Sequence, residues 1–137
     1  MGKIERLLFG VLSVIVCLNV FTGCGGENVI GPDNQLEVTN ATDNFQFQVS
    51  KLDNVTQTLT YYWTITGDSA TVNQSSSLSD GSATLTIKGP TGTLLYQADL
   101  KNNGTFGTQK DTAGTWEIQV VMKKADGTLN FRVQKAT

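Results

Sequence analysis

The sequence contains no histidine. That absence removes the commonest general base, the commonest metal ligand and the side chain that changes charge near neutral pH. A Ser-His-Asp triad, a Cys-His pair and a His-ligated zinc site are excluded within the chain. Cysteine is almost as scarce, with only Cys17 and Cys24. Charge is also low: 10 basic and 12 acidic residues are scattered over 137, with no like-charge run longer than Lys123-Lys124. No nucleic-acid footprint is visible in such a pattern. A weak acidic balance mainly aids solubility.

The one long apolar run, residues 7–21, stands near the N-terminus and is broken only by Gly10, Ser13 and Asn19. It follows a short charged stretch carrying Lys3, Glu5 and Arg6. This is the layout of a secretory signal. The run is shorter than the ~20 residues a spanning helix needs, and no basic stop-transfer cluster follows it.

The run ends in Phe21-Thr22-Gly23-Cys24, which resembles the lipobox of bacterial lipoproteins. The resemblance covers about the first 26 residues. It implies a diacylglyceryl group on the Cys24 thiol and cleavage before Cys24 by signal peptidase II; in that family the new amino group is often acylated too. Residues 1–23 are then a removed signal, and Cys24 is the lipid-bearing N-terminus. Gly25 stands where an Asp would imply retention at the inner membrane. By resemblance this favours the outer membrane in a Gram-negative host. Two or more acyl chains hold a protein firmly at ~0.8 kcal/mol per buried CH₂. If the thiol of Cys24 is committed to lipid, an intramolecular disulfide is excluded.

Cleavage would leave 114 residues with 8 basic and 11 acidic side chains, one domain plus a tether. Residues 24–35 carry Gly25, Gly26, Gly31 and Pro32 and read as a flexible tether. From residue 36 to 137 the apolar pattern has period 2. Phe45, Phe47 and Val49 alternate with Gln46, Gln48 and Ser50; Tyr61, Trp63 and Ile65 alternate with Tyr62, Thr64 and Thr66. The same pattern recurs around Leu85-Ile87, Leu94-Tyr96, Trp116-Ile118-Val120 and Leu129-Phe131-Val133, with shorter candidates at 36–39 and 70–73. Thr, Val, Ile, Tyr and Trp suit a pleated surface. The expected fold is all-β: a single antiparallel, Ig-like β-sandwich of about seven or eight strands.

Turn residues punctuate the pattern. Gly89-Pro90-Thr91-Gly92 and Lys124-Ala125-Asp126-Gly127 each read as the close of a hairpin. Residues 83–96 are loosely similar to a hairpin of bacterial immunoglobulin-like and fibronectin-type modules. Gly114-Thr115-Trp116-Glu117-Ile118-Gln119-Val120 is similar to a strand of such modules and of protease-attached β-sandwich P-domains. Together these cover less than half of the mature chain and name no specific family.

Candidate sites are few. The eight aspartates from Asp33 to Asp126 fall mostly near turns, where Asp caps local backbone. No D-x-D-x-D-G calcium spacing occurs. No metal and no catalytic residue is expected, and no cofactor beyond covalent lipid on Cys24. Trp63 and Trp116 are expected in the core. Tyr62 should point outward among threonines, where an aromatic ring could stack on a sugar or meet a partner. Phe106, in a loop expected at 102–108, is the second candidate contact. Four Asn-x-Thr/Ser sequons, at Asn40, Asn54, Asn73 and Asn103, read as accidents of composition beside a bacterial lipobox. The expected function is a non-enzymatic, membrane-anchored envelope lipoprotein acting as a binding or structural module. The alternatives are a carbohydrate-binding module and an accessory subunit of an envelope or secretion complex. Protein or glycan partners fit either alternative; nucleic acid fits none.

Overall fold

The computed structural model describes residues 27–137. The expected signal, residues 1–23, and Cys24 lie outside the described residues. Seven antiparallel strands follow a short 3-10 turn, Pro32–Asn34: β1 (Glu37–Ala41), β2 (Asn44–Ile65), β3 (Ala70–Gln74), β4 (Ser77–Lys88), β5 (Leu94–Asp99), β6 (Gly104–Gly107) and β7 (Gly114–Lys135). The chain is an all-β sandwich, as the alternation requires.

Its two layers are halves of one folded sheet. The first half of β2 pairs with β1 and with the second half of β7, which pairs onward with β3 and then β6. The second half of β2 pairs with the first half of β7, which pairs with β4 and then β5. We call the β1–β2–β7–β3–β6 half the first layer and the β2–β7–β4–β5 half the second. Strands β2, β7 and β4 cross from one layer to the other through a common bend.

The bend is made by bulges. The β2–β7 register shifts between Val49 and Leu52, between Leu52 and Val55, and between Val55 and Gln57. Lys51 (φ 54°), Asn54 (φ 52°) and Lys124 (φ 49°) adopt left-handed backbone there. Each bulge adds an unpaired residue and re-aims the strand. The buried positions consequently fall at Val49, Leu52 and Val55, three apart rather than two. The Asp126 carboxylate accepts from the Asn54 N–H at 2.6 Å, and the Thr56 hydroxyl accepts from the Lys124 N–H at 2.9 Å. These bonds satisfy donors that the bulges take out of the ladder.

Two expectations are corrected here. Lys124–Gly127 does not close a hairpin: residues 114–122 and 127–135 are consecutive parts of β7 in different layers, and each pairs with β2. Of the two segments, Gly89–Gly92 does close a hairpin, joining β4 to β5 with Ile87 opposite Tyr96. At Lys124–Gly127 the turn-forming letters were real, but they serve a corner rather than a reversal. Residues 104–107, expected as loop, form β6 against β3.

Gly81 (φ 72°) and Gly127 (φ 128°) lie where β4 and β7 cross at the bend. A Cβ on Gly81 would fall on the Lys124 carbonyl, and one on Gly127 on the Ser77 carbonyl. Neither neighbour is a flexible side chain that could swing away. Gly81→Ala should therefore destabilise by about 2 kcal/mol or more, since left-handed backbone alone costs a Cβ-bearing residue ~1–2 kcal/mol. Gly92→Ala is the control, because it shares a positive φ (87°) but has open space around it. Urea unfolding of both variants should show the larger loss at Gly81.

The core lies between the layers. Phe131 stacks on Phe45 and Phe47 with ring centroids 6.0 and 5.1 Å away, and Tyr61 crosses from the opposite layer to meet both phenylalanines. Trp63 and Trp116 are cross-strand partners, packed edge to face at 6.1 Å. Both are fully buried, and both indole N–H groups are satisfied, by the Ala41 and Thr112 carbonyls at 2.8 and 2.9 Å.

The end opposite the bend is held by Asp43 in the β1–β2 turn. Its carboxylate accepts from the Thr66 N–H and hydroxyl, both at 2.7 Å, and lies 3.4 Å from the Lys135 ammonium. The Thr66 backbone bond, then the Thr66 hydroxyl, then Lys135 hold its pKa below the ordinary 3.8. A depressed carboxylate contributes stability that is present above its unfolded value and lost as pH falls through the folded one.

Candidate functional site

Tyr62 is where the alternation put it, two-thirds exposed on the outer face of the second layer. Its row across the sheet continues into Glu117 and Lys88. The next row runs Thr60, Gln119, Thr86 and Gln97. Gln97 donates to the Thr86 hydroxyl at 3.2 Å, and Gln119 to Thr60 at 3.4 Å. The result is an open polar face with one aromatic ring, paired amides and one charge of each sign. Such a face can offer a stacking platform and several hydrogen bonds, but it has no enclosed pocket.

Phe106 belongs to a different surface. It sits on β6, the edge of the first layer, tilted against Tyr96 of β5 at 6.4 Å. It is 38% exposed and closes part of the open side between the two layer edges. Tyr62 and Phe106 therefore do not converge on one site.

That open side is latched by polar groups the sequence did not reveal. Gln74 is buried; it accepts from the Tyr96 hydroxyl at 2.7 Å and donates to the Asp99 and Asn102 carbonyls at 3.2 and 2.6 Å. Asn103 bonds both backbone groups of Ser76, at 2.8 and 3.0 Å. Gln74 ends a strand whose alternate residues, Ala70 and Val72, are core. A glutamine in phase with a buried apolar pair is the one signal of this latch.

Burial pushes the Tyr61 and Tyr96 hydroxyls above their ordinary pKa of 10.0. A raised tyrosine contributes stability that is complete below pH 10 and lost as pH climbs through the folded value. Alkaline unfolding should therefore begin above pH 10, and Tyr96→Phe should make that limb shallower. Chemical denaturation followed from pH 8 to 12 measures it; an unchanged limb would remove Tyr96 from the cause.

Among the described residues no group of three acidic side chains gathers as a metal site would require. One buried carboxylate oxygen stands out: Asp111 Oδ2 has no hydrogen-bond partner and lies over Gly89, whose missing Cβ makes the room. The other oxygen, Oδ1, accepts from the Thr112 N–H at 2.7 Å. Its bond to the N–H of the next residue is that of a local turn cap.

No family model matches the chain, and no curated protein matches it. The functional reading therefore rests on this chain's own residues.

A depression of about 580 Å³ lies at the bend and is lined by Asn28, Val29, Pro32, Asp33, Asn34, Lys51 and Asp53 among others. It exists because residues 28–35 do not trail free, as a tether reading had them. Asn28 bridges to Val55 and exchanges backbone hydrogen bonds with Asn54 and Thr56 at 2.8 and 3.0 Å. The Ile30 N–H donates to Gln57 at 2.8 Å. Buried Asn34 donates to the Ser50 and Lys51 carbonyls at 3.1 and 2.8 Å and accepts from the Gly31 N–H at 2.8 Å. The bulges leave β2 carbonyls without ladder partners, and this segment supplies the donors. Composition suggested flexibility; specific amide geometry overrides it.

Proposed function

We propose that this chain is a bacterial lipoprotein, held to a membrane by lipid on Cys24, whose β-sandwich is a non-catalytic binding or structural module of the cell envelope. The observation that carries the proposal is Phe21-Thr22-Gly23-Cys24 closing an apolar run. The position of the domain supports it. Among the described residues, backbone bonds to the sandwich are made from Asn28, four positions after the lipobox cysteine in the sequence. The absence of histidine agrees with a non-catalytic role, as does the open character of the Tyr62 face. Gly25 after the cysteine supports the outer membrane in a Gram-negative host. Growth with a labelled fatty acid, followed by isolation of the protein, tests the proposal. Label should enter the chain, and a protein without it would overturn the anchor.

A second reading is favoured by Tyr62, whose exposed ring beside Gln119 and Thr60 suits stacking on a sugar. On a glycan array, Tyr62→Ala should then lose the bound glycans. Binding that survives the change, or no binding by the parent, would dismiss it.

A further inference from the structure

The docked segment has a consequence for how the domain stands on its membrane. We propose that the bent end of the sandwich rests against the lipid surface, and that the opposite end, with the β1–β2 turn and the 89–93 turn, is presented away from it. The inference rests on the lipid anchor proposed above.

Four Cα steps separate Cys24 from Asn28, and they reach at most about 14 Å. Asn28 is fixed to Asn54 and Thr56 in the bend. The bend is thus confined near the headgroups, whereas a tether free to residue 35 would have let the domain drift and tumble. From Gln57 at the bend to Ile65 at the far end, the second half of β2 extends by about 27 Å. The two ends should therefore differ clearly in their distance from the bilayer.

The surface at the bend suits that neighbour. Val29, on the docked segment, is two-thirds exposed, and Leu36, directly after it, is also exposed. Val29 is five residues from Cys24, where an apolar side chain can enter the interfacial layer. Exposed Lys51, Lys123 and Lys124 are interspersed with exposed Asp33, Asp53 and Asp80. A surface carrying both signs matches zwitterionic headgroups. The orientation should accordingly come from the short leash and Val29, and should change little with salt.

The chain's scarcity of cysteine makes the test clean. Lys123→Cys at the bend and Thr91→Cys in the far turn are exposed positions that can each carry a fluorophore on the full lipidated protein. The protein is reconstituted in phosphatidylethanolamine–phosphatidylglycerol vesicles containing a headgroup quencher. The Lys123 label should be quenched several-fold more than the Thr91 label. Adding Asn34→Ala, which removes the three bonds made by that side chain, should bring the two closer together. Equal quenching at both ends in a protein that carries lipid would overturn this orientation while leaving the anchor intact. Stronger quenching at Thr91 would do the same, as would a pattern traced to contact between copies. A protein that carries no lipid would instead overturn the anchor, and this inference with it.

Discussion

Cys24→Ala should leave the chain without lipid and free it from the membrane. The thioether can form only on a thiol, and the other cysteine, Cys17, lies within the expected signal. Among the described residues no helix is long and apolar enough to cross a membrane. Each acyl CH₂ that leaves water contributes about 0.8 kcal/mol, so losing two chains removes a durable anchor and leaves only a weak interfacial contact. Fatty-acid labelling should fall to background, and the mature domain should move to the soluble fraction. Cys24→Ser, close in shape but without the sulfur, should behave alike. Label persisting on either variant would place the lipid elsewhere. The fold should be indifferent to both changes, because the sandwich is built from strands between Glu37 and Lys135.

Trp116→Ala should cost about 3–5 kcal/mol, the usual range for truncating a large buried aromatic. The ring is fully buried, faces Trp63 across the strands at 6.1 Å and donates to Thr112. Its removal would leave a cavity between the layers, an indole partner without its edge contact and a carbonyl without its donor. Against a total of ~5–15 kcal/mol for a domain, that is a large share. Tyr62→Ala, one residue from Trp63 on the same strand but on the outer face, should change stability by about 0.5 kcal/mol or less. Urea denaturation of both variants makes the comparison. Similar losses at Trp116 and Tyr62 would mean that the second layer does not divide into inner and outer faces as the structure shows.

The contrast between those two positions was legible in the sequence, because a strand exposes alternate residues and the period-2 pattern assigns each to a face. Phe45, Phe47, Val49, Trp63, Ile65, Trp116, Ile118, Val120, Phe131 and Val133 all took their expected inward places. The alternation also identified an all-β chain. It could not show that residues 44–50 and 58–65 belong to one strand, because the two bulges between them break the period. With hindsight the spacing of Val49, Leu52 and Val55 marks the bend, since each extra residue at a bulge delays the next inward position by one. Asp126-Gly127 was legible as a backbone irregularity but not as a corner. A hairpin turn and a layer-crossing bulge both call for residues that tolerate left-handed or otherwise unusual backbone.

The candidate sites were legible in part. Tyr62 was correctly placed as an exposed ring, since its neighbours on the strand decide its face. Phe106 was not assigned to a strand, because Gly104-Thr105-Phe106-Gly107 is short and carries two glycines. Its pairing with β3 is a tertiary fact. The docked segment was hidden for a similar reason. Gly31, Pro32 and Asn34 read locally as flexible, while the carbonyls that hold Asn34 belong to Ser50 and Lys51, exposed to it only because β2 bends there.

The lipid anchor is tested most directly by the mass of the N-terminal peptide of the protein extracted from membranes. The mature chain should begin at Cys24 and carry a diacylglyceryl group on its sulfur, with or without a further acyl chain on its amino group. A chain that begins elsewhere, or a Cys24 of unmodified mass, would contradict it.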